Sequence, residues 1–276
     1  MTGGNNLQKI GFIGAGNMAT ALISGIIKAT GATGATGAEN IIASDTNPQR
    51  LTFLAEKFGV TAAKSNSEVA EVADILFLSI KPHIYEAVLS EILIKPNALV
   101  VIIAPGFTIA DIQKLYGAGH PLKIIKSMPN TPAMVNCGMT AVCAGENVTS
   151  GELTRVLNIF NAVGKTEILP ERLFDAFTAI AGSSPAYAYT FIEALADAGV
   201  KYGLSRAQAI KISAQALFGA AKMVLETDEH PAILRDAVCS PGGTTIAAVS
   251  ALERTGFRHA VISAADAVVE KNKGKG

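Results

Sequence analysis

The sequence predicts an α/β protein in two parts: a parallel sheet covered on both faces by helices, then a run of helices without strands. Three observations carry this. Runs of Val, Ile and Leu with no inside–outside alternation (75–80, 99–104, 123–127) alternate with helical segments through the first 169 residues. Strands of that kind are buried on both faces of a parallel sheet. A glycine-rich turn joins the first strand candidate to the first helix. After Pro170 the strand pattern stops, so the expected division is 1–169 and 170–276.

The first strand, residues 9–13, runs into Gly14-Ala15-Gly16-Asn17-Met18-Ala19 and then into a helical pattern. This is the GxGxxA form of the dinucleotide fingerprint. Gly14 makes the tight turn, Gly16 lets backbone approach a pyrophosphate, and Ala19 lets the helix pack on the strand. The first domain is therefore expected to be of Rossmann type. An Ala-Thr-Gly repeat over 29–38 reads as a flexible surface loop. The second strand, Ile41–Ser44, ends at Asp45. With the repeat discounted as an insertion, Asp45 falls about 20 residues past the fingerprint, where an acid accepts hydrogen bonds from the adenosine ribose. There it disfavours a 2′-phosphate by charge repulsion. Ser44, Thr46, Asn47 and Arg50 lie close by and favour one, so the choice between NADH and NADPH stays open. The plainer alternative for Asp45 is a helix N-cap before Pro48.

Helices are expected over Pro48–Phe58, 67–72, 83–92 and 109–115, and two last strands over 140–143 and 165–168. Polar and special residues gather where strands end: Lys81-Pro82, Pro105-Gly106 and Met128-Pro129-Asn130-Thr131-Pro132. Ligands of such sheets bind beyond those ends. In the second part, helices are expected over 172–181, 185–200, 205–226, from Pro231, from Ile246 and from Arg258. Ser184 reads as an N-cap with Pro185 first in its helix, and Ser205 with Gln208 as a capping box. These helices have wide apolar stripes but few large side chains. A lone bundle would be poorly filled, so two copies are expected to pack together as an obligate dimer.

Between the helix from Pro231 and the helix from Ile246 lies Ser240-Pro241-Gly242-Gly243-Thr244-Thr245. Glycines release the backbone, and a helix starting there has unpaired N–H groups and a positive dipole end. That suits a carboxylate or phosphate. The plainer reading is a turn followed by a cap.

Composition excludes other classes. The formal net charge is zero, which argues against nucleic acid or an anionic membrane as partner. The three cysteines lack CxxC spacing and the histidines lack ligand spacing, so neither disulfides nor a metal site is expected. No apolar run reaches membrane-spanning length and the first residues lack secretion-signal features, which points to the cytoplasm.

Taken together, the fingerprint with Leu78-Ser79-Ile80-Lys81-Pro82, Met128-Pro129-Asn130-Thr131-Pro132, Ser183-Ser184-Pro185-Ala186-Tyr187, Gln215 to Met223 and Ser240 to Thr245 resembles the pyrroline-5-carboxylate reductases over nearly the whole chain. The resemblance implies a helical domain that interlocks with a partner subunit, with dimers often assembling into rings. It implies Asn66 near the adenine ribose and Ala104, Pro105 and Gly106 along the dinucleotide. Ile80, Lys81, Pro82, Met128 and Asn130 then lie toward the nicotinamide, with Asn17 and Met18 in the fingerprint loop. Ser183 and Ser184 border the substrate, with Ser184 standing where relatives carry glycine. Asp45 stands where many carry a small polar residue.

The implied substrate is a cyclic imine carboxylate, reduced to proline. The N–H groups of Gly242, Gly243 and Thr244 are candidates to hold its carboxylate, and the Thr245 hydroxyl to bond the ring nitrogen. An electrophilic imine needs mainly positioning, which suits a site with no evident Lys or His base. A β-hydroxyacid dehydrogenase shares the layout but uses a lysine on the first long helix of its second domain. Residues 186–191 contain none. A non-catalytic dinucleotide-binding dimer is the third reading.

Overall fold

The structure, a computed structural model, describes residues 8–33, 37–103, 106–117 and 119–274. Its elements run β1 (Ile10–Ile13), α1 (Asn17–Thr33), β2 (Ile41–Ser44), α2 (Pro48–Phe58), β3 (Thr61–Ala62), α3 (Asn66–Val72), β4 (Ile75–Leu78), α4 (Tyr85–Glu91), β5 (Leu99–Ile103) and α5 (Ile109–Tyr116). Then come β6 (Lys123–Pro129), β7 (Gly138–Ala144), α6 (Ser150–Asn161), β8 (Gly164–Ile168) and the short α7 (Phe174–Phe177). The remainder is helical: α8 (Ser184–Lys201), α9 (Arg206–Thr227), α10 (Pro231–Ala237), α11 (Thr244–Arg254) and α12 (Phe257–Asn272). The chain divides into two compact units, 1–182 and 183–276.

In the first unit eight strands form one sheet in the order β3-β2-β1-β4-β5-β6-β7-β8. The chain starts in the middle, moves out to β3, and returns to place β4 on the other side of β1. The strand order therefore reverses between β1 and β4, where open sheets of this kind bind ligands. All neighbours are parallel except β6 and β7. That exception departs from the expected wholly parallel sheet. Only residues 130–137 join β6 to β7, with a 3₁₀ turn at Thr131–Val135. A parallel crossover needs about a dozen residues or more, so the strand turns back instead.

Side chains leave the sheet on both faces, which explains the missing alternation. Phe12 and Phe77 stack at 4.8 Å, and Phe77 meets Phe160 of α6 edge-on at 6.1 Å. They share that face with Leu22 and Ile23 of α1 and Leu54 of α2. On the other face Ile13, Leu76 and Leu78 meet Val69 of α3, Leu89 of α4 and Ile112 of α5. Each such fully buried Phe, Leu or Ile contributes about 1.5–3 kcal/mol relative to exposure.

Three further features depart from expectation. The Ala-Thr-Gly repeat is not wholly loop, since α1 continues through Thr33 before 34–36, which lie outside the described residues. The packed turns of α1 propagate outward, because adding a residue to an existing helix costs less than starting one. Residues 172–181 form a 3₁₀ turn, α7 and a π-helical turn at Thr178–Gly182, not one regular helix.

The third is α6, which the pattern of strands concealed. It opens on a capping box: Thr149 Oγ1 accepts the Glu152 N–H, and the Glu152 carboxylate accepts the Thr149 N–H at 2.8 Å. Lys123 Nζ lies 2.7 Å from the other Glu152 oxygen, tying α6 to β6. Burial works against the charged carboxylate, but the Lys123 hydrogen bond and the Thr149 bonds outweigh it and hold Glu152 at a pKa of about 2, below the ordinary 4.5. A depressed carboxylate stabilises above its unfolded pKa and loses that contribution as pH falls toward its folded one. Glu152 is therefore expected to contribute about 3 kcal/mol at neutral pH, lost between roughly pH 4.5 and 2. Chemical denaturation across that range checks this, since Glu152→Gln should flatten that part of the acid limb.

In the second unit, α8 and α9 pack through small residues. Ala196 and Ala209 are fully buried, and a Cβ on Gly199 would lie 3.0 Å from that of Ala209. Among the described residues of 183–276 no other apolar side chain is fully buried. Ile210, Ile212, Phe218, Leu225, Val261 and Ile262 are all exposed. The scarcity of bulk in these helices leaves few apolar side chains buried among the described residues of this unit. No described helix is long and apolar enough to cross a membrane.

Candidate active site

β1 ends where the chain turns sharply into α1. Gly14 makes that turn at φ +95°, and its N–H donates to the Ser44 carbonyl at 2.8 Å. A Cβ here would strike the Ser79 carbonyl, so only glycine fits. Gly16 has open space where a Cβ would project. This is a backbone cradle that a phosphate can approach, at the start of a helix with unpaired N–H groups.

A cavity of about 590 Å³ opens beside it and brings together Gly14, Gly16, Asn17, Met18, Asp45, Asn66, Ile80, Lys81 and Pro82. All were expected to hold a dinucleotide, and the volume lies in the range of about 300–1,000 Å³ usual for small-molecule sites. The bare glycine cradle and the cavity fit such a group. Ser79, Ile84, Val88 and Ile103 line it too and were not anticipated. Ile84 and Val88, four residues apart at the start of α4, were legible as one helix face.

Asp45 is pinned. One carboxylate oxygen accepts the Ala15 N–H at 2.7 Å and the other the Asn47 N–H at 2.8 Å. Arg50 lies 3.6 Å away, and the Asp45 side chain is only 8% exposed. It does not cap α2; Asn47 does, accepting the Gln49 N–H at 3.0 Å. Ser44 reaches the cavity only indirectly. Its hydroxyl donates to Asn66 Oδ1 at 2.7 Å, and Asn66 Nδ2 donates to Glu91 at 2.6 Å.

The remaining strand ends differ. Buried Tyr85 donates its hydroxyl to the Leu78 carbonyl at 2.9 Å and fixes the end of β4; burial pushes its pKa upward, so the donor stays protonated. Gly106 has φ +89°, while Ala104 and Pro105 lie outside the described residues. Asn130, expected toward the nicotinamide, has both ends of its amide bonded to backbone. Its Oδ1 accepts the Met139 N–H and its Nδ2 donates to the Ala181 carbonyl, both at 2.9 Å. The tight β6–β7 reversal and the π turn leave those backbone groups in need of partners, and Asn130 supplies them.

In the helical unit α8 begins one residue early. Ser184 is its first residue, and Ser183 occupies the cap position without a side-chain cap bond. Ser240 to Gly243 form a turn with Pro241 second and Gly242 third at φ +67°, closed by the Gly243 N–H donating to the Ser240 carbonyl at 3.0 Å. That combination is the type II signature. It overturns one expectation: the Gly243 N–H is spent inside the turn and is not a donor for a carboxylate. The helix starts at Thr244, not Ile246, with Gly243 at the cap and no side-chain cap bond. The first-turn N–H groups of Thr244 and Thr245 thus have no partner within the helix.

Thr245 differs from several other threonines in or at the ends of helices. Thr52, Thr154, Thr190, Thr227 and Thr255 each bond the carbonyl four residues back. Four residues before Thr245 stands Pro241, inside the turn. Its hydroxyl is exposed and makes no hydrogen bond among the described residues. The described residues contain no cluster able to hold a metal.

Residues 171–275 match the family model described as pyrroline-5-carboxylate reductase dimerisation, and residues 9–106 match the model for NADP oxidoreductase, coenzyme F420-dependent. Pyrroline-5-carboxylate reductase of Escherichia coli is 48% identical over 268 residues, covering 96% of this chain and 97% of its own. The solved pyrroline-5-carboxylate reductase of Coxiella burnetii superposes with a TM-score of 0.87 at 35% identity, over 98% of this chain and 99% of that one. The Plasmodium falciparum pyrroline carboxylate reductase with NADP bound gives 0.85 at 35% identity, over 99% and 100%.

Proposed function

The chain belongs to the pyrroline-5-carboxylate reductase family, and on that premise we propose which of its residues carry the reaction. It is an NAD(P)H-dependent oxidoreductase that reduces 1-pyrroline-5-carboxylate to L-proline. The reduced nicotinamide, when bound, supplies the hydride that ends on the imine carbon.

The cavity around Gly14, Gly16 and Asn66 seats the dinucleotide. The glycine turn that no side chain can replace is the observation that carries this. The start of α11 seats the substrate. The Thr244 and Thr245 N–H groups bind its carboxylate, helped by the positive end of the helix. Gly242 and Gly243 shape the turn that keeps this end bare, and Ser183 and Ser184 border the ring. The Thr245 hydroxyl hydrogen-bonds the ring nitrogen and holds its proton in place as the carbon is reduced. Asn130 acts from behind, holding the π turn before Ser183 against the end of β6. Helical residues from about 170 onward serve self-association, and the enzyme works as an obligate dimer that stacks into larger rings. Its thiols, free in this structure, suit the cytoplasm.

Of the two coenzymes, NADH is the preferred one. The supporting observation is Asp45, which is nearly buried, fixed by two backbone N–H groups and set in the cavity wall. A 2′-phosphate there meets a carboxylate already holding Arg50. Initial rates with pyrroline-5-carboxylate, followed at the nicotinamide absorbance with both coenzymes, test the activity and the preference together. Asp45→Asn keeps an acceptor for the Ala15 N–H and removes the charge. It is expected to raise kcat/KM for NADPH relative to NADH about tenfold, a small part of a close like-charge repulsion. A wild-type preference for NADPH would reverse the assignment.

A further inference from the structure

We propose that Glu91, which lies outside the cavity wall, is a positioning residue for coenzyme binding: it dictates which way round the Asn66 amide faces. This rests on the reading of the cavity as the dinucleotide site. Asn66 lies in the cavity wall, between Ser44 on one side and Glu91 on the other. A hydroxyl can donate to an amide oxygen or accept from an amide nitrogen, so Ser44 tolerates both orientations. A carboxylate only accepts. The Glu91 oxygen, 2.6 Å from Nδ2, is therefore the group that specifies the orientation.

The charge-assisted bond is also the stronger of the two in kind. With one amide hydrogen given to Glu91 and one carbonyl lone pair to Ser44, Asn66 keeps one hydrogen and one lone pair for the coenzyme. Both point as the carboxylate requires. A second contact holds the two helices in register: Ser67 Oγ donates to the backbone carbonyl of Glu91 at 3.1 Å. That bond does not depend on the residue 91 side chain. Since Glu91 is exposed, substitutions there leave the packing of α3 on α4 intact.

The full-length enzyme tests this with a graded series. Glu91→Gln offers a donor and an acceptor, so the two amide orientations become equivalent; the KM for coenzyme should rise about twofold, as expected for a half-populated competent state. Glu91→Lys offers only donors and turns the amide over; the KM for coenzyme should rise roughly tenfold, the scale of a lost polar contact. The added positive charge alone would tighten an anionic dinucleotide, so a rise cannot come from simple electrostatics. The kcat at saturating coenzyme and the KM for pyrroline-5-carboxylate should not move, whereas general damage would move them. Asn66→Ala is the reference. If it weakens the coenzyme while Glu91→Lys does not, the role of Glu91 is overturned and the cavity assignment stands. If neither variant affects coenzyme KM, the cavity reading fails and the proposal with it.

Discussion

Thr245→Ala is expected to lower kcat roughly 30- to 100-fold, the size of one positioned hydrogen bond to a reacting group. Stability should change by no more than about 0.5 kcal/mol, as for an exposed side chain without partners. The structure separates the two effects, because the hydroxyl caps nothing and bonds no backbone carbonyl. Thr245→Ser keeps the oxygen and should keep most of the activity. Steady-state rates with saturating NADH, set beside thermal unfolding, decide the matter. Unchanged kcat in the alanine variant would remove Thr245 from the reaction and leave the α11 start as a carboxylate seat alone.

The second large effect concerns stability. Lys126 lies in β6 with its side chain 9% exposed, Nζ 3.1 Å from Glu171 and 4.8 Å from the centre of the Phe174 ring. The same Glu171 oxygen accepts the Ile109 N–H at 2.9 Å, so one carboxylate joins the sheet, the start of α5 and the segment leading to α7. Glu171→Ala strands the ammonium in the interior and is expected to cost about 3–5 kcal/mol. Lys126→Met costs less, since Glu171 is 29% exposed and keeps its backbone donor. The double change Lys126→Met with Glu171→Leu should recover most of the loss, because an apolar pair of similar volume needs no charge compensation. Midpoints of thermal unfolding for the three variants give the comparison. A double variant as unstable as Glu171→Ala would show that packing, not the stranded charge, sets the cost.

Much of the fold was readable from local signals. Pro48 at the start of α2 and Gly59 in left-handed conformation just past its end mark that helix to the residue. β2 is bounded as tightly by its apolar run and Asp45. α6 is not marked by the hydrophobic pattern, although Thr149 and Glu152 spell its capping box. The direction of β7 depends on loop length, which hydrophobic pattern does not encode. In the candidate site, the glycine turn was legible because backbone geometry writes itself into residue type. The partners of Asn66, Asn130 and Asp45 were not. Those bonds join residues 22, 25, 30 and 51 positions apart, and only the folded sheet brings them together.

The near-absence of buried bulk in 183–276 reaches beyond the finished enzyme. Under the self-association proposed above, a newly released chain carries greasy helices until it meets a twin, and maturation of this half is second order in concentration. Dilution should then loosen it as surely as heat, and a cell making two versions of the chain will blend them in one particle.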